Sequence, residues 1–156
     1  MKYVERGIFM ENYEINNGTL AIVPTDDGKT KIYETDDEFI VDKKVYQVME
    51  ESCEYFGSSL IGRQTGSKNI LGSSYKVPVV IDESRDIIFF PTSSPLLDSC
   101  YWIGLKDIKE IIKKDRKTII VFDNNKEIEV DIPYLSIQNQ IMRATRLNMV
   151  LKKRKN

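Results

Sequence analysis

The stretch SCEYFGSSLIGRQTGSKNILG, residues 52–72, has the residue types that bind phosphate: four glycines, four serines and two cations with one acid. Gly57 and Gly62 have the spacing of a loop that cradles nucleotide phosphates, but that loop continues with lysine and then serine or threonine. Arg63 and Gln64 stand at those two positions. The segment before the glycines also has helical rather than strand periodicity. The sequence therefore argues against a nucleotide site and predicts no cofactor.

Two interpretations of this stretch remain. Backbone N–H groups, serine hydroxyls and cations are the groups that contact nucleic-acid phosphates, and Arg63, Lys68 and Lys76 supply the cations here. Alternatively, the glycines and serines only allow a helix and a loop to pack closely, since glycine adopts conformations that other residues avoid. The sequence favours the nucleic-acid contact, because close packing explains poorly why three cations accompany a single acid.

The sequence lacks the residues of many catalytic and metal sites. It has no histidine, which excludes the triads and zinc motifs that depend on an imidazole. Cys53 and Cys100 are too few for a disulfide framework or a zinc site, and we expect buried, reduced thiols. The acidic runs Asp26–Asp27 and Asp36–Glu38 lack the ligand spacing of a calcium loop. We predict no metal and no enzyme activity, with lysine- or carboxylate-based catalysis as the alternative.

Charge is distributed unevenly along the chain. The net charge is −1, yet residues 1–51 hold twelve acids and six bases, whereas residues 139–156 hold six bases and no acid. This asymmetry suggests a polyanion partner for the basic end. A basic end that serves only solubility explains the charges equally well. No apolar run is long enough to span a membrane and the first residues are charged, so we expect a cytoplasmic protein.

Hydrophobic patterning predicts an α+β fold with antiparallel or mixed strands and about three helices, formed by one domain over residues 1–156. Residues 13–25 and 29–42 have strand character and predict an N-terminal meander. Asn17–Gly18 and Asp27–Gly28 are expected to supply the positive φ angles of its tight turns.

Later strands are predicted from short apolar runs. Residues 77–82 and 85–92 lack clean alternation, which is typical of strands buried on both faces, so we expect them at the centre of a sheet. Residues 123–126, DNNK, predict a hairpin turn. Trp102 is expected in the core, with stacking on a base as the alternative.

Two helices have clear apolar stripes. Residues 45–56 place apolar and small side chains at helical spacing, and Gly57 is expected to end that helix. The C-terminal helix is expected to begin with Ser136 as its N-cap. One of its faces carries the core positions Ile137, Ile141, Ala144, Leu147 and Leu151. Its opposite face is expected to carry Asn139, Arg143, Arg146, Val150 and Lys153.

Five sequence blocks occur in a characteristic order: CEYFGSSLIGRQTGS, YKVPVVID, IIFFPTSSP, CYWI and IQNQIMRATRL. Together they resemble the competence transcription factor (ComK) family, from the strand at residues 13–25 through residue 151. The resemblance implies a DNA-binding activator of competence genes that recognises A/T-rich boxes through the minor groove. It also implies dimers that pair into a tetramer, with the transcription machinery as a further candidate partner. The alternative is a protein-interaction module or inactive paralogue that docks an acidic partner.

Candidate DNA-contacting residues follow from this resemblance and from groove chemistry. A narrow A/T minor groove has an enhanced negative potential that attracts arginine, and Arg63, Arg143 and Arg146 are the candidates. The remaining candidates are polar or cationic residues placed beside the groove or the phosphates: Lys68, Lys76, Asn139, Lys152 and Lys153.

Overall fold

The structure is a computed structural model that describes residues 2–4 and 7–155. Its strands are β1 (Lys2–Val4), β2 (Gly7–Met10), β3 (Thr19–Pro24), β4 (Thr30–Glu34), β5 (Glu38–Val41), β6 (Val79–Asp82), β7 (Ile87–Pro91), β8 (Trp102–Gly104), β9 (Ile108–Lys114), β10 (Lys117–Phe122) and β11 (Glu127–Val130). Its helices are α1 (Val45–Tyr55), α2 (Leu60–Leu71) and α3 (Tyr134–Lys155). The predicted α+β class with three helices is confirmed.

The strands form two sheets. The larger has the order β1-β2-β5-β4-β3-β8-β7-β6, and the smaller has the order β11-β10-β9. Only the β2–β5 pair is parallel among the pairs that the structure describes. The predicted meander is confirmed as β3–β4–β5, and the predicted hairpin at residues 123–126 joins β10 to β11.

The two turns of the meander region differ from each other. Gly28 has a φ of 80°, as predicted for the turn between β3 and β4. Gly18 has no positive φ, so that prediction is wrong. The turn before β3 is instead held by Asn16, whose Oδ1 accepts from the Gly18 N–H at 2.9 Å. An asparagine side chain can close a turn in this way without a left-handed residue.

The larger sheet is buried on both faces at its strands β7 and β8. Ile87 and Phe89 pack in the cluster under α1, whereas Ile88 and Phe90 pack in the cluster under α3. Trp102 is fully buried in the α1 cluster, which confirms its core prediction. The near-continuous apolar runs in the sequence follow from this two-sided cover.

β6 lies at an edge of the larger sheet and not at its centre, so its predicted position is wrong. All four of its residues are nevertheless buried. The reason is that Val79 and Ile81 pack in the α1 cluster and Val80 packs in the α3 cluster, while α2 contacts β6 at this edge. A buried apolar run therefore does not distinguish a central strand from an edge strand under a helix.

α1 ends as the sequence predicts. Gly57 has a φ of 83°, and its N–H donates to the Glu54 carbonyl oxygen at 2.9 Å. The Ser58 N–H donates to the Cys53 carbonyl oxygen at 3.0 Å, which completes a Schellman motif. Cys53 and Cys100 are buried, free thiols, as predicted. Burial raises the pKa of Cys53 to about 11, partly offset by the nearby charge of Arg63.

α2 occupies most of the glycine- and serine-rich stretch, for which the sequence analysis assigned no helix after residue 56. Its first turn is capped by Ser59, whose Oγ accepts from the Gly62 N–H at 2.9 Å. Its last turn closes on Gly72, which has a φ of 67°. Between these ends only Leu60 and Ser67 are buried. The helix therefore has clear end signals but no apolar stripe.

α3 begins at Tyr134, two residues before the predicted N-cap. Ser136 lies inside the first turn, where its N–H donates to the Pro133 carbonyl oxygen at 3.0 Å. The predicted core positions Ile137, Ala144 and Leu147 are buried. They join the larger sheet to the smaller one, because the same cluster contains side chains of β7, β10 and β11. No helix within residues 2–4 and 7–155 is long and apolar enough to cross a membrane.

Candidate nucleic-acid interface

The predicted site residues lie on three adjoining elements. Arg63 and Lys68 are on α2, Lys76 is in the segment after it, and the others are on α3. α2 and α3 contact each other, and α1 precedes the glycines at the place where a nucleotide-binding loop requires a strand. The fold thus brings together two parts of the chain that are about 70 residues apart. These adjoining elements are called the cationic surface below.

Arg143 does not project freely from α3, so its expected place on the helix's outer face is wrong. Its Nη1 donates to the Lys76 carbonyl oxygen at 3.1 Å, and its Nη2 donates to the Tyr75 carbonyl oxygen at 2.8 Å. Nη2 also lies 3.2 Å from the Ser73 Oγ. Burial lowers the pKa of the guanidinium, and the side chain is half-buried. Arg143 therefore ties the segment 73–76 to α3.

Gln140 completes this connection, and the sequence analysis missed it. Its Nε2 donates to the carbonyl oxygens of Lys76 and Pro91, each at 2.8 Å, and its Oε1 accepts from Arg143 at 2.6 Å. The side chain is 3% exposed. The available signal was its position, because Gln140 falls three residues after Ile137 and four before Ala144 on the apolar stripe. A buried amide needs hydrogen-bond partners, and Gln140 finds them in the two backbone carbonyls and in Arg143.

The segment that Arg143 holds presents Tyr75 and Lys76 outward. Tyr75 is 65% exposed, and the Lys76 Nζ lies 5.1 Å from the centroid of its ring. Lys76 has a φ of 47°, which is unfavourable for a residue with a side chain. Both residues line a cleft of about 350 Å³ together with Lys68, Gln64 and Ile61.

Arg63 is half-buried at a second cleft, of about 150 Å³, between α2 and α3. This cleft is also lined by Gly62 and Gly66 of α2 and by Leu147 of α3. The Arg63 Nε is buried and has no hydrogen-bond partner among the described residues. The glycines leave the helix side next to Arg63 without side chains, which opens the approach to its guanidinium.

The remaining α3 candidates divide into free and paired side chains. Asn139, Arg146 and Lys153 are exposed and make no ion pair or side-chain hydrogen bond within residues 7–155. Lys152 pairs with Asp86 at 3.4 Å, although both side chains are about half exposed. Asn139 and Arg146 lie four residues before and three after Arg143, so they adjoin it on the surface of α3.

Two acidic side chains lie beside the cationic surface: Glu83 lines the Arg63 cleft, and Asp86 pairs with Lys152. No group of three or more histidine, cysteine, aspartate or glutamate side chains in the described part of the chain could hold a metal ion. The outer face of α3 carries three exposed apolar side chains at seven-residue spacing, Leu135, Met142 and Met149, which the sequence analysis did not single out.

No solved structure matches this arrangement of an eight-stranded sheet, a three-stranded sheet and three helices. The chain belongs to the ComK protein family, which matches residues 10–156. It is 38% identical to the competence transcription factor of Bacillus subtilis (strain 168) over 139 residues, which cover 86% of this chain and 72% of that relative. The family resemblance found in the sequence blocks is therefore confirmed.

Proposed function

We propose that this protein is a cytoplasmic, sequence-specific DNA-binding activator of competence genes that recognises A/T-rich boxes through the minor groove. Family membership supports the class of regulator. The observation that carries the DNA contact is a set of cations on adjoining elements that make no ion pair within the described ranges: Lys68 and Lys76 at one cleft, and Arg146 and Lys153 on α3. Cations that lack protein partners are available to phosphates and to a narrow groove.

The candidate residues are assigned different roles. Lys68, Lys76, Lys152 and Lys153 contact phosphates, since a lysine ammonium acts as a point charge that carries no base information. Arg146 reaches the minor groove with Asn139 beside it, and Arg63 contacts the backbone from the second cleft. The protein acts as a homo-oligomer on paired boxes, and the transcription machinery is its further partner.

A mobility-shift titration tests this proposal. The purified protein is titrated onto an A/T-box promoter fragment and onto a G/C-rich fragment of equal length at one stated salt concentration. We expect the A/T-box fragment to bind at least about tenfold more tightly, because loss of a groove contact costs about 1–3 kcal/mol. Distamycin should displace the protein, whereas methylation of major-groove N7 atoms should have little effect.

A matched pair of arginine variants assigns the effect to the cationic surface. Arg146→Ala should reduce the A/T preference, whereas Arg116→Ala, an exposed arginine in the turn between β9 and β10, should not. Equal affinity for both fragments would mean that DNA only attracts the cations non-specifically. Absence of any shift would favour the alternative of a module that docks an acidic protein.

A further inference from the structure

We infer that Tyr75 and Lys76 form a DNA-contacting tip and that Arg143 positions this tip from beneath instead of entering the groove. This inference rests on the proposed DNA binding. It assigns a contact residue, Tyr75, that begins one of the five sequence blocks but is not among the candidates named from the sequence. It also changes the role of Arg143 from a reading residue to a positioning residue.

The hydrogen bonds of Arg143 carry the first step. Its guanidinium donates to two consecutive backbone carbonyls, those of Tyr75 and Lys76, and to Gln140. With the Ser73 Oγ, the two terminal nitrogens of Arg143 have four acceptors, two for each nitrogen. Neither nitrogen can therefore also read a base edge without releasing a bond. Gln140 holds the Lys76 carbonyl from the other side and is itself buried. The two side chains thus fix the backbone of the tip.

The backbone of Lys76 carries the second step. A non-glycine residue at a φ of 47° is strained, and such a conformation persists only where its surroundings determine it. The surroundings here are the bonds from Gln140 and Arg143 to its carbonyl oxygen. The ammonium of the same residue lies 5.1 Å from the centroid of the Tyr75 ring. Lys76 therefore combines a strained backbone with a cation that contacts the Tyr75 ring.

The chemistry of the tip fits the wall of a DNA groove. Tyr75 offers an exposed ring with a hydroxyl at its edge, which can pack on sugars while the hydroxyl bonds to a polar atom. Lys76 and Lys68 lie at the same cleft and can neutralise the flanking phosphates. Side chains inserted in the minor groove commonly combine an apolar body with neighbouring cations.

A double-mutant cycle on the A/T-box fragment tests the inference. Arg143→Ala alone and the pair Tyr75→Ala/Lys76→Ala should each weaken DNA binding about tenfold or more. The triple variant should bind within about twofold of the pair, since a residue that acts through the tip has nothing to position once the tip is absent. Additive losses would show that Arg143 contacts DNA itself and would overturn the inference.

Two further measurements separate positioning from direct contact and from misfolding. Arg143→Lys keeps the charge but loses the fork, so its DNA affinity should fall nearly as far as that of Arg143→Ala; near-normal affinity would contradict the inference. In the free protein, hydrogen exchange at residues 73–77 should accelerate in Arg143→Lys and not in Arg146→Ala, with unchanged exchange elsewhere.

The outcomes also distinguish this inference from the proposed function. If the wild-type protein binds A/T-box DNA but the Tyr75→Ala/Lys76→Ala pair binds equally well, the tip assignment is wrong and the proposed function stands. If the wild type binds no DNA, the proposed function fails and the DNA contact of the tip fails with it. The exchange measurement then still reports whether Arg143 orders segment 73–76.

Discussion

α2 and α3 both contribute candidate residues to the cationic surface, yet different forces determine where each helix lies. α3 buries Ile137, Ala144 and Leu147 in the cluster that joins the two sheets. α2 buries only Leu60 and Ser67, and the other side of the helix is largely exposed. α3 is therefore a core element whose outer face carries candidate residues, whereas α2 is a surface element held by its ends and by its neighbours.

This contrast between α2 and α3 explains why only α3 has a clear helical pattern in the sequence. An apolar stripe records burial of one helix face, so α3 is evident at a period of 3.6 residues. α2 has no such stripe, because its inward side chains are few: Leu60 and Ser67 are buried, and Ile70 and Leu71 are partly buried against the α3 cluster. Its sequence records only where it begins and ends.

The largest expected effect concerns the core role of α3. Leu147→Ala should lower the free energy of unfolding by about 2–5 kcal/mol, because it leaves a cavity between the helix and both sheets. Urea denaturation followed by circular dichroism measures this change. Met149→Ala on the exposed face of the same helix is the control and should change stability by less than about 0.5 kcal/mol. Similar losses in both variants would contradict a one-sided core role.

A second prediction separates two glycines of α2 by the sign of their effects. Gly72→Ala should destabilise the protein by about 1–2 kcal/mol, because alanine is strained at a φ of 67°. Gly66→Ala should instead stabilise it by about 0.5–1 kcal/mol, since a Cβ there meets no atom within 4 Å and alanine favours a helix interior. Thermal melts of the two variants decide the matter. If both variants were destabilised, Gly66 would not be in a regular helix.

The third prediction concerns the start of α2. Ser59→Ala should cost about 1 kcal/mol, because the Gly62 N–H loses its capping acceptor. Ser58→Ala, one residue earlier, removes no cap and serves as the control. Comparing the two midpoints in urea tests whether α2 depends on its ends as strongly as its lack of an apolar stripe suggests.

The smallest expected effect on stability lies at the basic end of α3. Lys152→Ala breaks an exposed pair with Asp86 and should change the free energy of unfolding by less than about 0.5 kcal/mol. If Lys152 contacts a phosphate, the slope of log affinity against log salt concentration should still fall by about 1. A salt titration of DNA binding measures this slope. An unchanged slope would mean that Lys152 contacts Asp86 but no phosphate of DNA.

The sequence predicted the elements whose signals are local. The meander, the hairpin at residues 123–126, the end of α1 at Gly57 and the core stripe of α3 all follow from turn residues or apolar periodicity. The edge position of β6 and the helix at residues 60–71 are not predicted, because the two elements pack against each other across the fold. No local pattern encodes that mutual cover.

The candidate site was predictable as a set of residue types but not as an arrangement. Lys68, Lys76, Arg146 and Lys153 make no ion pair among the described residues, and their contact with DNA stays a prediction. Arg143 has a helical position that the sequence does place near Arg146, but its partners are backbone carbonyls almost 70 residues earlier in the chain. Contacts of that kind carry no side-chain signature, so only the fold reveals them.

The two-faced construction of α3 has a consequence for how this protein can change over generations. Its inner side chains are constrained by two sheets at once, so few substitutions there are tolerated. Its outer positions, such as Asn139, Arg146 and Lys153, touch no other part of the described chain through polar bonds. Mutation can therefore vary the charge pattern along the helix while the scaffold persists. If this outer face contacts DNA as proposed, single substitutions there can change the target preference of a gene duplicate while the protein stays folded.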